Sequence, residues 1–203
     1  MLKAIALNCS LKTDDKPSST DSMINLVARC LREHDVELID TIRVARHDVK
    51  PGVSSDEGDG DAWPRIRARV LEADILILGT PIWMGQPSSV CKRVLERMDA
   101  FLGETDDRER MPSYSKIAVV AVVGNEDGAH HVSAELYQAL ADTGWTIPAG
   151  GTCYWVGEAM HGTDFQDLDE IPEPVMKTAK TLASNSAHLA RLLKLNSYPG
   201  IAG

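Results

Sequence analysis

Hydroxyls at Ser10, Ser18, Ser19 and Thr20 and the ammonium of Lys12 fall in one short stretch. Asn8-Cys9-Ser10-Leu11-Lys12 is followed by Pro17-Ser18-Ser19-Thr20-Asp21, just ahead of a segment with helical period. Directed donors, a cation and the positive end of a helix dipole are what an anion such as phosphate requires. Ser18, Ser19 and Thr20 are equally ordinary helix N-caps, which need no ligand. No GxGxxG or GxxxxGK[ST] is present, so the loop is neither a dinucleotide turn nor a P-loop. A phosphotyrosine-phosphatase cradle built on Cys9 would need an arginine where this chain has Asp15. Cys9 therefore reads as a small buried hydrophobe at a strand end.

A second loop, Gly79-Thr80-Pro81-Ile82-Trp83-Met84-Gly85-Gln86-Pro87-Ser88, carries a large aromatic, a thioether and two glycines. A planar heterocycle could pack on Trp83 or Met84 while backbone amides read its edge. Alternatively, Trp83 and Met84 plug the core or a subunit contact. The third loop, Gly124-Asn125-Glu126-Asp127-Gly128-Ala129-His130-His131, is short and polar. Its glycines permit positive φ, which lets N–H groups face a ligand. His130 and His131 are adjacent, cannot share a helix face and have no third metal ligand spaced with them, so they read as solvated.

These loops need a scaffold that brings them together. Ala4 to Leu7, Val36 to Asp40, Ile75 to Leu78, Ile117 to Val123 and Thr152 to Val156 read as strands. The third and fourth are apolar on both faces, as central parallel strands covered by helices are. Stripes at three-four spacing lie between them: Ile24, Val27, Ala28 and Leu31; Trp63, Ile66 and Val70; Val90, Val94, Met98, Phe101 and Leu102; Val132, Leu136 and Leu140; and Val175 to Leu193. Five strands alternating with five helices give a doubly wound α/β sheet. Ligands of such sheets bind at the carboxyl ends of the strands, near the switch in winding direction, which is where the three loops fall.

The 203 residues suit one domain, 1–195, followed by a tail at 196–203. Lys and Arg number 21 against 30 Asp and Glu, a net charge of −9 that disfavours nucleic acid and anionic lipid. No apolar run approaches the roughly 18 residues of a membrane span. Four cysteines without a CxxC pair, and a start lacking a signal-peptide pattern, lead to an expectation of a cytoplasmic protein with no disulfides or zinc. Gly52 to Asp61 reads as a solvated acidic loop whose spacing does not fit an EF-hand. Gly157 to Pro174 either walls a pocket or crosses to a second subunit.

Taken together, the three loops resemble the flavin-binding loops of the flavodoxin-like NAD(P)H-dependent FMN reductase family, over Leu2 to about Leu193. The most specific piece is Gly79-Thr80-Pro81-Ile82-Trp83-Met84-Gly85, similar to the family's G-[ST]-P-x-[YW]-x-G along the isoalloxazine. Ser10, Lys12, Ser18, Ser19 and Thr20 match its phosphate loop, and Gly124, Asn125 and Gly128 lie in the segment on the pyrimidine side. Cys9 stands where the family usually has Gly, Lys12 where Arg is common, and Asp14 and Asp15 lengthen the loop. The resemblance implies a flavodoxin-like five-stranded parallel sheet in the order 2-1-3-4-5. It also implies FMN as cofactor, held by Ser10, Lys12, Ser18, Ser19, Thr20, Pro81, Ile82, Trp83, Met84, Gly85, Gly124, Asn125 and Gly128. NADPH or NADH would be the electron donor, and a quinone, free flavin or other small molecule the acceptor. No general acid or base is assigned, because a flavin carries its own reactivity. Family members commonly form dimers, so a homodimer or homotetramer is expected, with the Val90 to Leu102 helix as a candidate contact. Alternatives are a flavodoxin-type electron carrier, although the T/S-x-T-G-x-T loop is missing, and a flavodoxin-like binding module without cofactor.

Overall fold

The computed structural model describes residues 1–158 and 161–201. Its elements in chain order are β1 (Leu2–Asn8), α1 (Ser19–Arg32), β2 (Val36–Arg43), α2 (Trp63–Glu72), β3 (Ile75–Trp83), β4 (Gln86–Pro87), α3 (Ser89–Met98), β5 (Ile117–Val123), α4 (Ala129–Asp142), β6 (Thr152–Trp155) and α5 (Glu173–Leu195). The sheet order is β2-β1-β3-β5-β6, all parallel, with β4 antiparallel to the end of β3. Apart from the two-residue β4, this is the expected flavodoxin-like order.

Side-chain alternation divides the core into two layers. Ala4, Ala6, Ile75, Ile77, Val119, Ala121 and Cys153 face α1 and α5. Ile5, Leu7, Leu76, Leu78, Ala118, Val120 and Val122 face α2, α3 and α4. Both layers are dry, which is why the central strands read as unbroken apolar runs. The apolar stripe of α3 is consumed in this packing. Val94, Met98 and Phe101 are fully buried, Val90 is half-buried and Leu102 is exposed.

Two strands outrun the sequence reading. β2 reaches Arg43, which pairs with Asn8, although its polar residues gave little apolar signal. β3 runs past Gly79 to Trp83, although the sequence reading ended it at Leu78, before Gly79. Beyond Asn8–Gly79 the β1 partner has ended, so that side of β3 is an edge where Pro81 leaves no ladder bond unmade. β5 still pairs on the other side through Thr80–Val122 and Pro81–Val123. Gly79 itself has a packing reason. A Cβ there would lie 2.6 Å from Ile24 Cδ1, so glycine lets α1 close on the sheet beside the first loop.

The acidic segment before α2 is ordered around a charge turned inward. Arg97 on α3 and Asp61 are both fully buried and pair at 2.7 Å. Arg97 also donates to the carbonyls of Ser54 and Lys50, each at 3.0 Å, and lies 5.9 Å over the Trp63 ring. Burial alone would raise the Asp61 carboxyl, but Arg97 and the N–H groups of Glu57, Trp63 and Lys50 hold it well below the carboxylate range. Residues 196–201 are docked too: Tyr198 N–H donates to Ser115 Oγ at 2.8 Å, and Ile201 N–H to the Arg108 carbonyl at 3.2 Å. Ala202 and Gly203, within the expected tail, and Ala159 and Met160, within the expected wall segment, lie outside the described residues.

Arg97→Met strands the buried Asp61 charge and should cost about 3–5 kcal/mol in denaturant unfolding. The depressed Asp61 pKa adds stability above the unfolded-state carboxyl pKa that is lost as pH falls through the folded one. Asp61→Asn should therefore flatten the acid limb of the stability profile.

Candidate functional site

After β1 the chain turns to β2 on one side of the sheet, and after β3 to β5 on the other. The crevice this leaves at the carboxyl ends of β1, β3 and β5 is a cleft of about 200 Å³. Ser10, Lys12, Ser18, Ser19 and Thr20 line one end of it. Pro81, Ile82 and Trp83 line a second wall, and Gly124 and Asn125 a third. The sequence-predicted residues Met84, Gly85 and Gly128 do not reach the cleft. They lie where the second and third loops touch each other.

The cup at the first end is built without glycine. Ser18 caps α1: its Oγ accepts from Asp21 N–H at 3.2 Å, and its own N–H donates to Asp21 Oδ2 at 2.9 Å, a reciprocal capping box. Asn8 donates its side-chain amide to Asp21, while its Oδ1 accepts from Ser10 N–H at 2.8 Å. Arg43, at the end of β2, ion-pairs with Asp21 and donates to the carbonyls of Asp14 and Lys16 at 2.6 and 2.9 Å. Arg46 pairs with Asp15 at 2.7 Å. Of the two residues that lengthen this loop, Asp15 pairs with Arg46 through its carboxylate and Asp14 is held through its backbone carbonyl. Sequence reading missed both arginines, because they come from the end of β2 and the turn after it. Lys12 lies exposed and donates to the Pro17 carbonyl at 3.2 Å.

Ser10 Oγ is buried and has no hydrogen-bond partner. A buried hydroxyl without a partner is costly, and this one belongs to a cleft-lining residue. Beside it the Ser19 and Thr20 N–H groups, at the start of α1, have no partner within the helix. An orphaned hydroxyl, free helix amides and a nearby ammonium together suit a phosphate.

The second wall ends in a hairpin whose turn residues, Met84 and Gly85, both have positive φ (52° and 73°). Two left-handed residues are the pattern of a type I′ turn. Glycine fits it freely, whereas methionine costs about 1–2 kcal/mol. Glu126, from the third loop, accepts from the Met84 N–H at 3.0 Å and the Gly85 N–H at 3.3 Å. Gly128 has φ 125°, and a Cβ on it would lie 2.8 Å from Gly85 Cα, so the loops meet backbone to backbone. Met84 projects outward, 88% exposed, while the indole of Trp83 is half in the cleft wall at 54%.

Leu11, Val123, Trp155 and Asp164 also line the cleft. Trp155 was findable, since it ends the last strand at the ligand-binding edge; Asp164 carried no local signal. Asp164 accepts from Asn125 Nδ2 at 3.3 Å, which ties the segment after β6 to the third loop. Trp155 also forms part of a neighbouring cavity of about 600 Å³, with Tyr154, Leu168, Pro172 and Val175. Gly157, His161, Thr163, Leu168, Pro172 and Pro174 of the 157–174 segment line this cavity. His130 bonds Tyr154 Oη at 3.0 Å and His131 bonds Gln86 at 3.2 Å, both outside the cleft. Cys9 is fully buried, and burial together with neighbouring Cys91 pushes its thiol well up, which makes it a poor nucleophile. Among the described residues no group of three or more His, Cys, Asp or Glu could hold a metal, and no helix is long and apolar enough to cross a membrane.

A family model described as NADPH-dependent FMN reductase matches residues 2–161. The chain is 29% identical over 207 residues to 8-demethyl-8-aminoriboflavin-5'-phosphate synthase of Streptomyces davaonensis, across 97% of this chain and 80% of that protein. It is 34% identical over 200 residues to a Mycobacterium bovis protein named divalent metal cation transporter MntH. That match takes in 95% of this chain but spans 29% of the length of that relative. Among solved structures, RosB with bound intermediate 8-demethyl-8-formylriboflavin-5'-phosphate superposes with a TM-score of 0.87 at 29% identity, over 98% of this chain and 82% of that one.

Arg43→Met should loosen the cup without unfolding the sheet. Charge-assisted hydrogen bonds to two carbonyls are lost, each worth about 1.5–3 kcal/mol. Amide exchange in and around residues 11–17 should accelerate at least about tenfold, with exchange in β3 and β5 unchanged.

Proposed function

The chain belongs to the NADPH-dependent FMN reductase family, and from that premise we propose that it holds FMN in this cleft and passes electrons from NADPH or NADH to a small acceptor. The observation that carries the reading is the unpartnered Ser10 hydroxyl at the mouth of α1. Ser10 Oγ, the Ser19 and Thr20 N–H groups, the Ser18 cap and Lys12 would take the phosphate. Pro81, Ile82 and Trp83 would lie along the ring, with Gly124 and Asn125 at its other edge. Met84, Gly85 and Gly128, which lie outside the cleft, would act by holding its walls together.

FMN, when bound, supplies the hydride and electron chemistry itself. The protein's part is to orient the ring, exclude water from one face and leave room for a second reactant. The neighbouring cavity, which shares Trp155 with the cleft, would receive a planar acceptor such as a quinone or free flavin. Its wall segment, residues 157–176, contains six carboxylates and no Lys or Arg, which favours an uncharged acceptor over an anionic one. A homodimer or homotetramer in the cytoplasm remains the expected setting, and sedimentation of the purified protein would give the oligomeric state.

A second reading comes from RosB, whose bound ligand is a phosphorylated flavin intermediate. On that reading the flavin in the cleft is itself transformed. Mass spectrometry of the flavin recovered after turnover separates the two: unchanged FMN supports the electron-transfer reading, and a changed mass supports the other.

The protein loaded with FMN should oxidise NADPH or NADH in the presence of a quinone or riboflavin. Ser10→Ala should weaken FMN binding by about tenfold or more, since it removes a hydrogen bond to a charged group. Wild-type protein that neither binds added FMN nor consumes either nucleotide would sink the reading.

A further inference from the structure

We infer that Glu126 is a positioning residue that clamps the two ring-facing walls of the cleft together and places a negative charge at its border. The inference rests on the assignment of FMN to this cleft. It concerns a residue that no sequence motif singled out.

The hairpin that forms one wall is minimal. β4 has two residues, and one of them, Pro87, has no N–H to give the ladder. Isolated two-stranded hairpins are marginal in water even when longer than this one. Its turn also holds a methionine in the left-handed region. The third loop supplies what holds the turn. Each oxygen of the Glu126 carboxylate takes one turn amide, Met84 N–H and Gly85 N–H, across a sequence separation of 42 and 41 residues. Gly128 seats against Gly85 in the same contact. The residues just before the turn, Pro81 to Trp83, and those just before Glu126, Gly124 and Asn125, line adjoining parts of the cleft, Gly124 lying against Ile82. The β3–β5 ladder ends at Pro81 and Val123, and beyond it Glu126 ties the two segments together.

The charge has a separate consequence. Among the described residues no Lys, Arg or His lies within ion-pair distance of Glu126, and the two turn amides are its hydrogen-bond partners. Glu126 does not line the cleft but follows Asn125, which does, and a carboxylate there opposes the arrival of further negative charge on a bound ring. Glu126 thus tightens the cleft by geometry and lowers the midpoint potential of bound FMN by charge.

Three variants separate these effects. Glu126→Asp keeps the charge but is one methylene too short to reach both amides. Glu126→Gln keeps the length, loses the charge and has one acceptor oxygen where glutamate offers one to each amide. Glu126→Ala loses both. In FMN-free protein, amide exchange at Met84 and Gly85 should rise about tenfold or more in Asp and Ala variants, and less in the Gln variant. The dissociation constant for FMN should rise about tenfold in the Ala and Asp variants. The midpoint potential of bound FMN should move upward in the Gln and Ala variants and stay at the wild-type value in the Asp variant. Unchanged exchange in all three variants overturns the clamp, and one common potential overturns the charge effect. If wild-type protein binds no FMN, the assignment of the cleft fails instead, and the exchange rates still decide the clamp.

Discussion

The Asp21 carboxylate is the point on which the first loop depends. It sits in the first turn of α1, where a negative charge stabilises the helix but would repel an anion bound at the same terminus. The conflict is resolved by saturation. Ser18 donates to it twice, Asn8 once, and Arg43 closes it as an ion pair. What remains directed at the cleft is the helix N-terminus and the Ser10 hydroxyl. Arg43, by reaching two carbonyls of the loop as well, gives a glycine-free segment the rigidity that small residues would otherwise provide through tight turns.

The same device recurs at the other places where loops must meet. Glu126 joins the hairpin tip to the third loop through two amides, and Arg97 with Asp61 shapes the segment before α2 around a fully buried pair. In each case a charged side chain from one element satisfies backbone groups of another. Unpaired polar groups are most costly when buried, so the fully buried Arg97–Asp61 pair specifies its loop geometry most strongly, whereas the Glu126 and Arg43 contacts lie nearer solvent. The arrangement suits a cleft whose lining comes from three separate crossovers and is only partly held by the β3–β5 ladder.

Charge is also distributed unevenly across the site. The chain is acidic as a whole, with a net −9, yet around the cup Lys12, Lys16, Arg43 and Arg46 stand against Asp14, Asp15 and Asp21. The segment after β6 carries the opposite sign. Under the proposed FMN assignment, that difference in sign would orient the phosphate toward the cup.

Local pattern was enough for the architecture: unbroken apolar strands, three-four helical stripes and loops at strand ends dictated a doubly wound sheet and where its crevice would open. It was also enough for the cup, because Ser10, Lys12 and Ser18 to Thr20 are contiguous with the strand and helix that place them. What only the folded chain decided were contacts between segments far apart in sequence. Trp155 and Asp164 reach the cleft from the last crossover, Arg43 organises a loop it does not belong to, and Met84 turns outward although its neighbour Trp83 faces in. Each depends on pairing across the sheet top, such as Pro81 with Val123 and Glu126 with the hairpin amides. Residue type and spacing within one segment carry no record of those partners, because the energy lies in geometry that exists only once the strands have been set side by side.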